Sequence, residues 1–167
     1  MDLLKSIDSL NQEGILKSKS PKFIIAGTGP EEERLKKYEL ENNISNYVEF
    51  VGWIDGKEKK NYLETCDILI LPSYNEGLPI AILEALSYGM PVVSTDVGSI
   101  SEAVHDHLNG FLFNPGDVTL LSAHLKKLIM NKDLRCKMSI ESRKFAEMYF
   151  DDKKYFIRLE ALYKKFA

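Results

Sequence analysis

The sequence predicts an α/β domain in which a parallel sheet carries helices on both faces. Short apolar segments with strand character alternate along the chain with helical segments, and this alternation is typical of β-α-β units. The apolar segments lack a clean apolar-polar alternation, which indicates that both faces of the sheet are covered. The chain has 167 residues, the size of one domain, and is long enough for an ordinary hydrophobic core.

The elements follow in chain order from the periodicity and the turn signals. Residues 3–10 carry leucines and Ile7 at helical spacing, so the chain opens on a helix, whereas an α/β domain usually opens on a strand. A polar connection is expected over 14–21. Strands are expected at 23–26, 47–51, 68–71, 91–94 and 111–113. Helices are expected at 31–41 and 57–65, between Pro79 and Gly89, near 102–104, after Asp117 as N-cap, and at 133–148 and 152–166.

The composition excludes several classes of function. The net charge is −3 and the charges are interspersed, so the basic stripe of a nucleic-acid-binding protein is absent. Cys66 and Cys136 are too few for a disulfide framework, and we expect free thiols in the cytosol. No uncharged apolar run approaches the roughly 20 residues of a membrane helix. His105 and His107 have no third ligand nearby in sequence, so no metal is expected, and His124 is expected at the rim of an amphipathic helix.

The loops that follow the strands form the candidate site, because ligands of open parallel sheets bind beyond the carboxyl ends of the strands. These loops cover residues 27–29, 52–54, 73–78 and 96–99, and we expect them to share one edge. The first begins like a dinucleotide-binding fingerprint, but Glu32 stands at the third glycine position. We therefore interpret it as a tight turn that allows close approach of the backbone.

Two carboxylates, Glu76 and Glu84, are the only charges between Asp67 and Asp96. Glu84 stands on a helix that is apolar nearly all round and is expected to be buried, where a carboxylate needs a hydrogen-bond partner from the protein or from a ligand. The helix N-terminus at 77–80 offers free N–H groups to an anion. A ligand with an anionic group at the helix N-terminus and hydroxyls on both sides, held by these carboxylates, has the chemistry of a nucleotide sugar. In the alternative interpretation, Glu76 caps the helix and protein groups satisfy Glu84.

The pair Glu76-x7-Glu84, inside the segment from Leu71 to Ala85, resembles the retaining glycosyltransferases of family 4, whose GT-B fold contains two Rossmann-like domains. Supporting matches occur in the family order at 26–30, 48–53, 67–73, 89–93 and 109–113, so the resemblance covers nearly the whole chain. It implies that residues 1–150 are the nucleotide-sugar-binding, Rossmann-like domain of the C-terminal half, without its first strand. Residues 151–167 would be the C-terminal helix that crosses to the N-terminal domain.

The resemblance also implies a role for individual residues. Glu76 is expected to act as the catalytic residue that contacts the transferred sugar, and Glu84 to hold the ribose. The diphosphate and the sugar would meet the backbone amides of Gly77, Leu78 and Ile80, because Pro79 has no N–H. The base would pack near 52–54, where Trp53 is a candidate to stack on it, although a lone Trp after a strand also occurs in cores and at rims. The remaining donor-binding residues are expected in the other loops: Gly27, Gly29, Ile54 and Ser73.

The implied reaction is sugar transfer, with retention, from a UDP-, GDP- or ADP-sugar in polysaccharide or glycoconjugate biosynthesis, without a cofactor. In the family, the Arg and Lys that clamp the diphosphate and the whole N-terminal acceptor domain precede the position of Met1. We therefore expect a fragment of a GT-B enzyme, or a truncated gene product, that is inactive alone. The domain is expected in the cytoplasm, without membrane contact of its own. For the full-length enzyme, the inner face of the membrane is an alternative location. The apolar face of the last helix is a candidate for self-association.

Three other interpretations compete with a donor-binding enzyme domain. The first is a stand-alone nucleotide-binding module without catalysis, and the second is a structural or interaction protein that keeps only the fold. The third is a GT-B sugar-nucleotide epimerase, over which the Glu76-x7-Glu84 motif and its flanks favour a transferase. Titration with nucleoside diphosphates and their sugars separates the first two.

Overall fold

Helices and strands alternate as predicted in the computed structural model, which describes residues 1–166 except for the side chains at 152 and 158. Each strand lies within a residue of its predicted position. The strands are β1 (Phe23–Ala26), β2 (Val48–Gly52), β3 (Leu69–Leu71), β4 (Val92–Thr95) and β5 (Gly110–Phe113). The short apolar runs therefore form strands, as their composition and the adjoining turn residues indicate.

The helices also follow the predicted order. They are α1 (Asp2–Gln12), α2 (Ile15–Lys19), α3 (Glu32–Glu41), α4 (Gly56–Thr65), α5 (Ile80–Ser87), α6 (Val118–Met130), α7 (Lys132–Tyr149) and α8 (Asp152–Phe166), with a 3-10 turn at Ile100–Glu102. The prediction of a polar connection over 14–21 is wrong in part, because α2 forms there. Leu16 is fully buried, and Gly14, at φ 75°, provides the left-handed residue that separates α2 from α1.

The strands pair in two parallel sheets. β1 pairs with β2, and β4 lies between β3 and β5. Phe23 stands opposite Val48 in the first sheet, and Val92 stands opposite Leu69 and Gly110 in the second. Among the described strands, β1 and β3 are therefore each paired along one edge only.

The two faces of the second sheet lie in two hydrophobic clusters. Val93 belongs to a cluster with residues of α1 and α6, and its neighbour Val92 belongs to a cluster with residues of α5 and α7. The first cluster also contains Phe23 and Val48 of the first sheet, so it joins the two sheets. Its members from α1 and α6 include Ile7, Leu10, Leu121 and Leu125. Helices therefore cover both faces, as the mixed apolar pattern of the strands predicts.

The ends of α5 and α6 use the residues that the sequence singles out. Asp117 caps α6, since its Oδ1 accepts from the Leu120 N–H at 2.8 Å. Gly89 follows α5 at φ 74°, and Pro79 is the N-cap residue of α5. The loop at 73–78 therefore leads directly into the first turn of α5.

The prediction that His124 lies at the rim of its helix is wrong. Its exposed fraction is 8%, and its ring stacks on Phe111 with the centroids 4.4 Å apart. Burial lowers the pKa of His124, because the charged imidazolium is poorly solvated there. The apolar face of α6 includes this position, which the amphipathic pattern alone does not reveal.

Within residues 1–166, no helix combines the length and the apolar character required to cross a bilayer. α8 nevertheless exposes large apolar side chains to solvent: Tyr155, Phe156, Ile157, Leu162, Tyr163 and Phe166.

Candidate functional site

The loops after β1 and β2 meet through their glycines. The Gly27 N–H donates to the Gly52 carbonyl oxygen at 2.6 Å, and both residues have positive φ, 116° and 70°. The Gly29 carbonyl accepts from the Glu32 N–H at 3.1 Å, which closes a turn before α3. Two of the predicted loops are thus joined, and the tight-turn interpretation of the Gly27 loop agrees with this geometry.

The loops after β3 and β4 are also joined. The Ser99 N–H donates to the Gly77 carbonyl at 3.0 Å, and the Thr95 hydroxyl donates to the Ser73 carbonyl at 2.6 Å. Gly98 has φ 57°, and a β-carbon there would lie 2.1 Å from the Glu76 carbonyl oxygen. Only glycine fits this approach, and the sequence analysis did not single out Gly98.

The N-terminus of α5 opens at this edge. Within the described residues no side chain caps α5, so Glu76 does not act as its cap, and no acid stands in its first turn. Gly77 is exposed, Leu78 is half-buried and Ile80 is 71% exposed. Helix N–H groups in such a position attract anions, because they are unpaired within the helix and carry the positive end of its dipole.

The prediction that α5 is buried nearly all round is wrong. Its buried face consists of Ile82, Ala85 and Leu86, whereas Ile80 faces solvent and the Glu84 side chain is 32% exposed. α5 packs on the sheet and on α7 with this face, and the half-buried Leu83 extends it on one side. The all-apolar composition therefore leaves apolar surface at the edge of the candidate site.

Glu84 has a protein partner that the sequence analysis missed. Lys59 of α4 places its Nζ 2.7 Å from Oε1, in hydrogen-bond geometry, and 2.6 Å from Oε2. Oε2 is enclosed and, in the part of the chain described, makes no hydrogen bond of its own. The Lys59 side chain is 39% exposed. Three lysines stand together at 57, 59 and 60, and helical periodicity alone does not identify the one that faces α5.

The ion pair of Lys59 and Glu84 connects the two groups of loops. α4 follows β2, and α5 follows β3, so the pair joins the end of the first sheet to the end of the second. A second connection runs from Tyr74, whose hydroxyl donates to Asp2 Oδ2 at 2.7 Å and thereby raises the pKa of Tyr74. The N-terminus of α1 therefore lies beside the loop at 73–78.

The other predicted site residues lie at the ends of these strands. Trp53 is 74% exposed, so it belongs neither to the core nor to a buried contact, and Ile54 is half-buried. Ser73 takes part through its backbone carbonyl, which accepts from Thr95. Among the residues that the structure describes, no group of three or more His, Cys, Asp and Glu side chains is arranged to hold a metal.

An open groove of about 740 Å³ lies at the opposite end of α5. It lies between α4, α5 and α7, and its lining includes Lys60, Glu64, Tyr88 and Arg143. None of the predicted site residues lines it. We place the candidate site at the carboxyl edge instead, because an open helix N-terminus, joined loops and a partly exposed carboxylate occur together there.

Solved structures share this fold. The C-terminal domain of a glycosyl transferase group 1 family protein, LpcC from Francisella tularensis, superposes with a TM-score of 0.79 at 21% identity, over 90% of this chain and 78% of that one. Anabaena Alr3699/HepE in complex with UDP superposes with a TM-score of 0.79 at 22% identity, over 87% of this chain and 41% of that one. The chain thus has the α/β fold of a GT-B glycosyltransferase domain, as the sequence predicts.

Curated relatives are glycosyltransferases as well. The chain is 33% identical over 153 residues to the sulfoquinovosyl transferase SQD2 of Arabidopsis thaliana, covering 89% of this chain and 28% of the relative. It is 35% identical over 112 residues to the amylovoran biosynthesis glycosyltransferase AmsK of Erwinia amylovora, covering 64% of this chain and 28% of the relative.

A profile of the family described as glycosyl transferases group 1 matches residues 2–145. The chain belongs to this family, which confirms that its motifs are those of a group 1 glycosyltransferase. It spans roughly a third of the length of the curated relatives it matches, between 28% and 36% for four of them.

Proposed function

We propose that this domain binds the nucleotide-sugar donor of a retaining, family 4 glycosyltransferase at the edge formed by the loops at 27–29, 52–54, 73–78 and 96–99. The observation that carries the proposal is the uncapped N-terminus of α5, with Glu84 on the same helix and partly open to solvent. An anion site next to a carboxylate suits a diphosphate joined to a polyhydroxylated group. Alr3699/HepE, which shares the fold, is known with UDP and with UDP-glucose.

Each predicted residue has a specific role in this proposal. The amides of Gly77, Leu78 and Ile80 bind the diphosphate, and the carboxylate of Glu84 accepts from the ribose hydroxyls. A hydrogen bond to a charged group contributes about 1.5–3 kcal/mol. Glu76 is assigned to the transferred sugar. Its backbone contact with Gly98, at the mouth of α5, supports a fixed position for this residue.

The base binds at the end of the first sheet in this proposal. Trp53 presents an exposed ring there, beside the joined glycines Gly27 and Gly52. Gly29, Ile54 and Ser73 shape the floor of the site, and none of them fixes the identity of the base, which stays open among uracil, guanine and adenine. No cofactor or metal is required for this mode of binding.

The chemistry of the parent enzyme is transfer of the sugar to an acceptor hydroxyl. The bond between the anomeric carbon and the diphosphate oxygen breaks, and the electron pair stays on the diphosphate. The acceptor oxygen forms the new glycosidic bond, and its proton passes to the leaving diphosphate. The N-terminus of α5 stabilises the charge that develops on the leaving diphosphate. The acceptor would be held by an N-terminal partner domain, so we expect the isolated chain not to transfer sugar.

The pathway and the compartment are also part of the proposal. AmsK is named for amylovoran biosynthesis, and we extend this to synthesis of a polysaccharide or glycoconjugate. Cys66 and Cys136 are both free thiols, which agrees with a reducing compartment and supports the cytoplasm.

Calorimetric titration with UDP, GDP, ADP and their sugars tests donor binding. We expect one base class to bind, and Glu84→Gln to weaken it about tenfold or more, because neutral Gln loses the charge-assisted hydrogen bonds. Glu64→Gln is the matched control, since Glu64 forms an exposed pair with Lys60 on α4 away from the site. Failure of every nucleotide to bind at millimolar concentration, or equal binding by Glu84→Gln, would contradict the proposal.

A further inference from the structure

Lys59 occupies both oxygens of the carboxylate to which the ribose is assigned. Its Nζ lies 2.7 Å from Oε1 and 2.6 Å from Oε2 of Glu84. Oε2 is enclosed with Lys59 in this position. A vicinal diol that donates to both oxygens of Glu84 therefore needs space that the ammonium group fills.

The ion pair is weak enough for a ligand to replace it. Both side chains are about a third exposed, 39% for Lys59 and 32% for Glu84, so water and salt screen their attraction. Lys59 also has a flexible four-carbon stem and can turn toward solvent without disturbing the core. The two hydroxyls of a vicinal diol form two charge-assisted hydrogen bonds to one carboxylate, and together these outweigh an exposed ion pair.

We propose that Lys59 competes with the cis-diol of ribose for the carboxylate of Glu84 and thereby sets how strongly the domain distinguishes ribonucleotides from deoxyribonucleotides. This inference rests on the proposed function, because it takes Glu84 as the ribose-binding residue. In the wild type, ribose gains its hydrogen bonds only after the ammonium leaves. A deoxyribose, which presents only one hydroxyl of the diol, leaves the ammonium in place, so the ion pair lowers the affinity for ribonucleotides alone. Lys59 is thus a specificity-determining residue that acts through Glu84.

The three other roles open to Lys59 predict a ratio that falls or stays constant when Lys59 is removed. If Lys59 instead holds Glu84 in its binding pose, its removal lowers the preference for ribose. If it only ties α4 to α5, its removal changes stability and leaves the preference unchanged. A general attraction of the ammonium for the diphosphate affects ribonucleotides and deoxyribonucleotides equally. The ratio of their dissociation constants therefore isolates the competition.

The test is calorimetry of the whole chain with UDP, GDP and ADP and with the 2′-deoxy and 3′-deoxy forms of the one that binds. We expect Lys59→Met to raise the ratio of deoxy to ribo dissociation constants about three- to sixfold, since an exposed ion pair of this kind no longer competes. Lys60→Met, one position along the same helix, is the matched control and keeps the wild-type ratio. Glu84→Gln brings the ratio close to unity.

A second measurement varies the salt concentration. Raising the salt concentration from about 0.05 M to about 0.5 M weakens the Lys59–Glu84 pair and should increase the ratio in the wild type, but not in Lys59→Met. The competition is overturned if the ratio of deoxy to ribo dissociation constants falls or stays constant in Lys59→Met. If Glu84→Gln still brings that ratio close to unity, the assignment of the ribose to Glu84 stands without the competition. If no nucleoside diphosphate binds the wild type, the proposed function and this inference both fall.

Discussion

A β-carbon at position 98 would lie 2.1 Å from the carbonyl oxygen of Glu76 and 2.7 Å from that of Gly77. Both contacts involve backbone atoms, which cannot turn away as a side chain can. The loop after β4 therefore packs tightly against the loop after β3, which carries Glu76 and leads into α5. This contact fixes the backbone at the mouth of the candidate site.

We expect Gly98→Ala to lower the free energy of unfolding by at least about 2 kcal/mol, because it combines overpacking with a left-handed backbone conformation. It should also weaken nucleotide binding, since the displaced backbone includes Gly77. Urea denaturation measures the first effect and calorimetry the second. Gly29→Ala is the control. Among the described residues, and apart from the two chain neighbours of Gly29, no atom lies within 4 Å of its β-carbon position, so the stability of this variant should stay within about 0.5 kcal/mol of the wild type. Equal stabilities of the two variants would contradict this account of the loops.

The sequence identifies the chemically important carboxylates but not their neighbours. Glu84 stands out because it is a charge on an apolar helix, and this signal is local. Its partner Lys59 comes from α4, 25 positions earlier, and a single sequence does not show which lysine of a charged helix faces a particular carboxylate. The contact between Gly98 and Glu76 is hidden for the same reason, since it depends on how two loops meet after folding.

At the scale of the elements, the strands and the longer helices are predictable, because their apolar patterns and the adjoining turn residues indicate the same bounds. Asp117, for example, is both predicted and observed as the cap of α6. The five-residue helix α2 is missed, because a helix this short has no periodic pattern of its own and forms only where Leu16 enters the core. The exposure of Ile80 is missed because composition alone does not show how many faces of α5 are covered.

The division of the strands into two sheets leads to a proposal about one further strand. In the usual order of a doubly wound sheet, the first strand lies between the second and the fourth, which here means between β1 and β3. Residues beside these unpaired edges, Ile24, Ile25 and Leu69–Leu71, are only half-buried although they are apolar. The Tyr74 hydroxyl that contacts Asp2 places the start of α1 at the carboxyl edge, where such a strand would end. We propose that a parallel strand joined to Met1 completes the sheet.

This proposal is tested by fusing a Val- and Ile-rich strand of about five residues and a short linker to Met1. The fusion should raise the free energy of unfolding by at least about 2 kcal/mol, since it buries apolar side chains on both faces of the sheet. The amides of β1 and β3 should also exchange more slowly with solvent. A fusion with Pro in the middle of the strand is the control, because Pro cannot pair within a sheet. If the Pro fusion is equally stable, no strand enters between β1 and β3.

At the scale of the whole molecule, the fold was predictable because motifs in the family order cover most of the chain. The long-range arrangement was not, since no pattern in one chain reports what α8 packs against. Tyr155, Phe156 and Tyr163 are exposed along α8, and the self-association expected from its apolar face stays a prediction. The site at the carboxyl edge lies on the other elements and does not depend on α8.

The central claim is that the nucleotide binds at the N-terminus of α5. The most direct test is to record backbone amide chemical shifts of the labelled chain while adding UDP, GDP or ADP. We predict that the largest changes occur at Gly77, Leu78 and Ile80, the amides assigned to the diphosphate. Changes concentrated instead at Tyr88, Gly89 and Arg143, which line the groove at the other end of α5, would contradict the account.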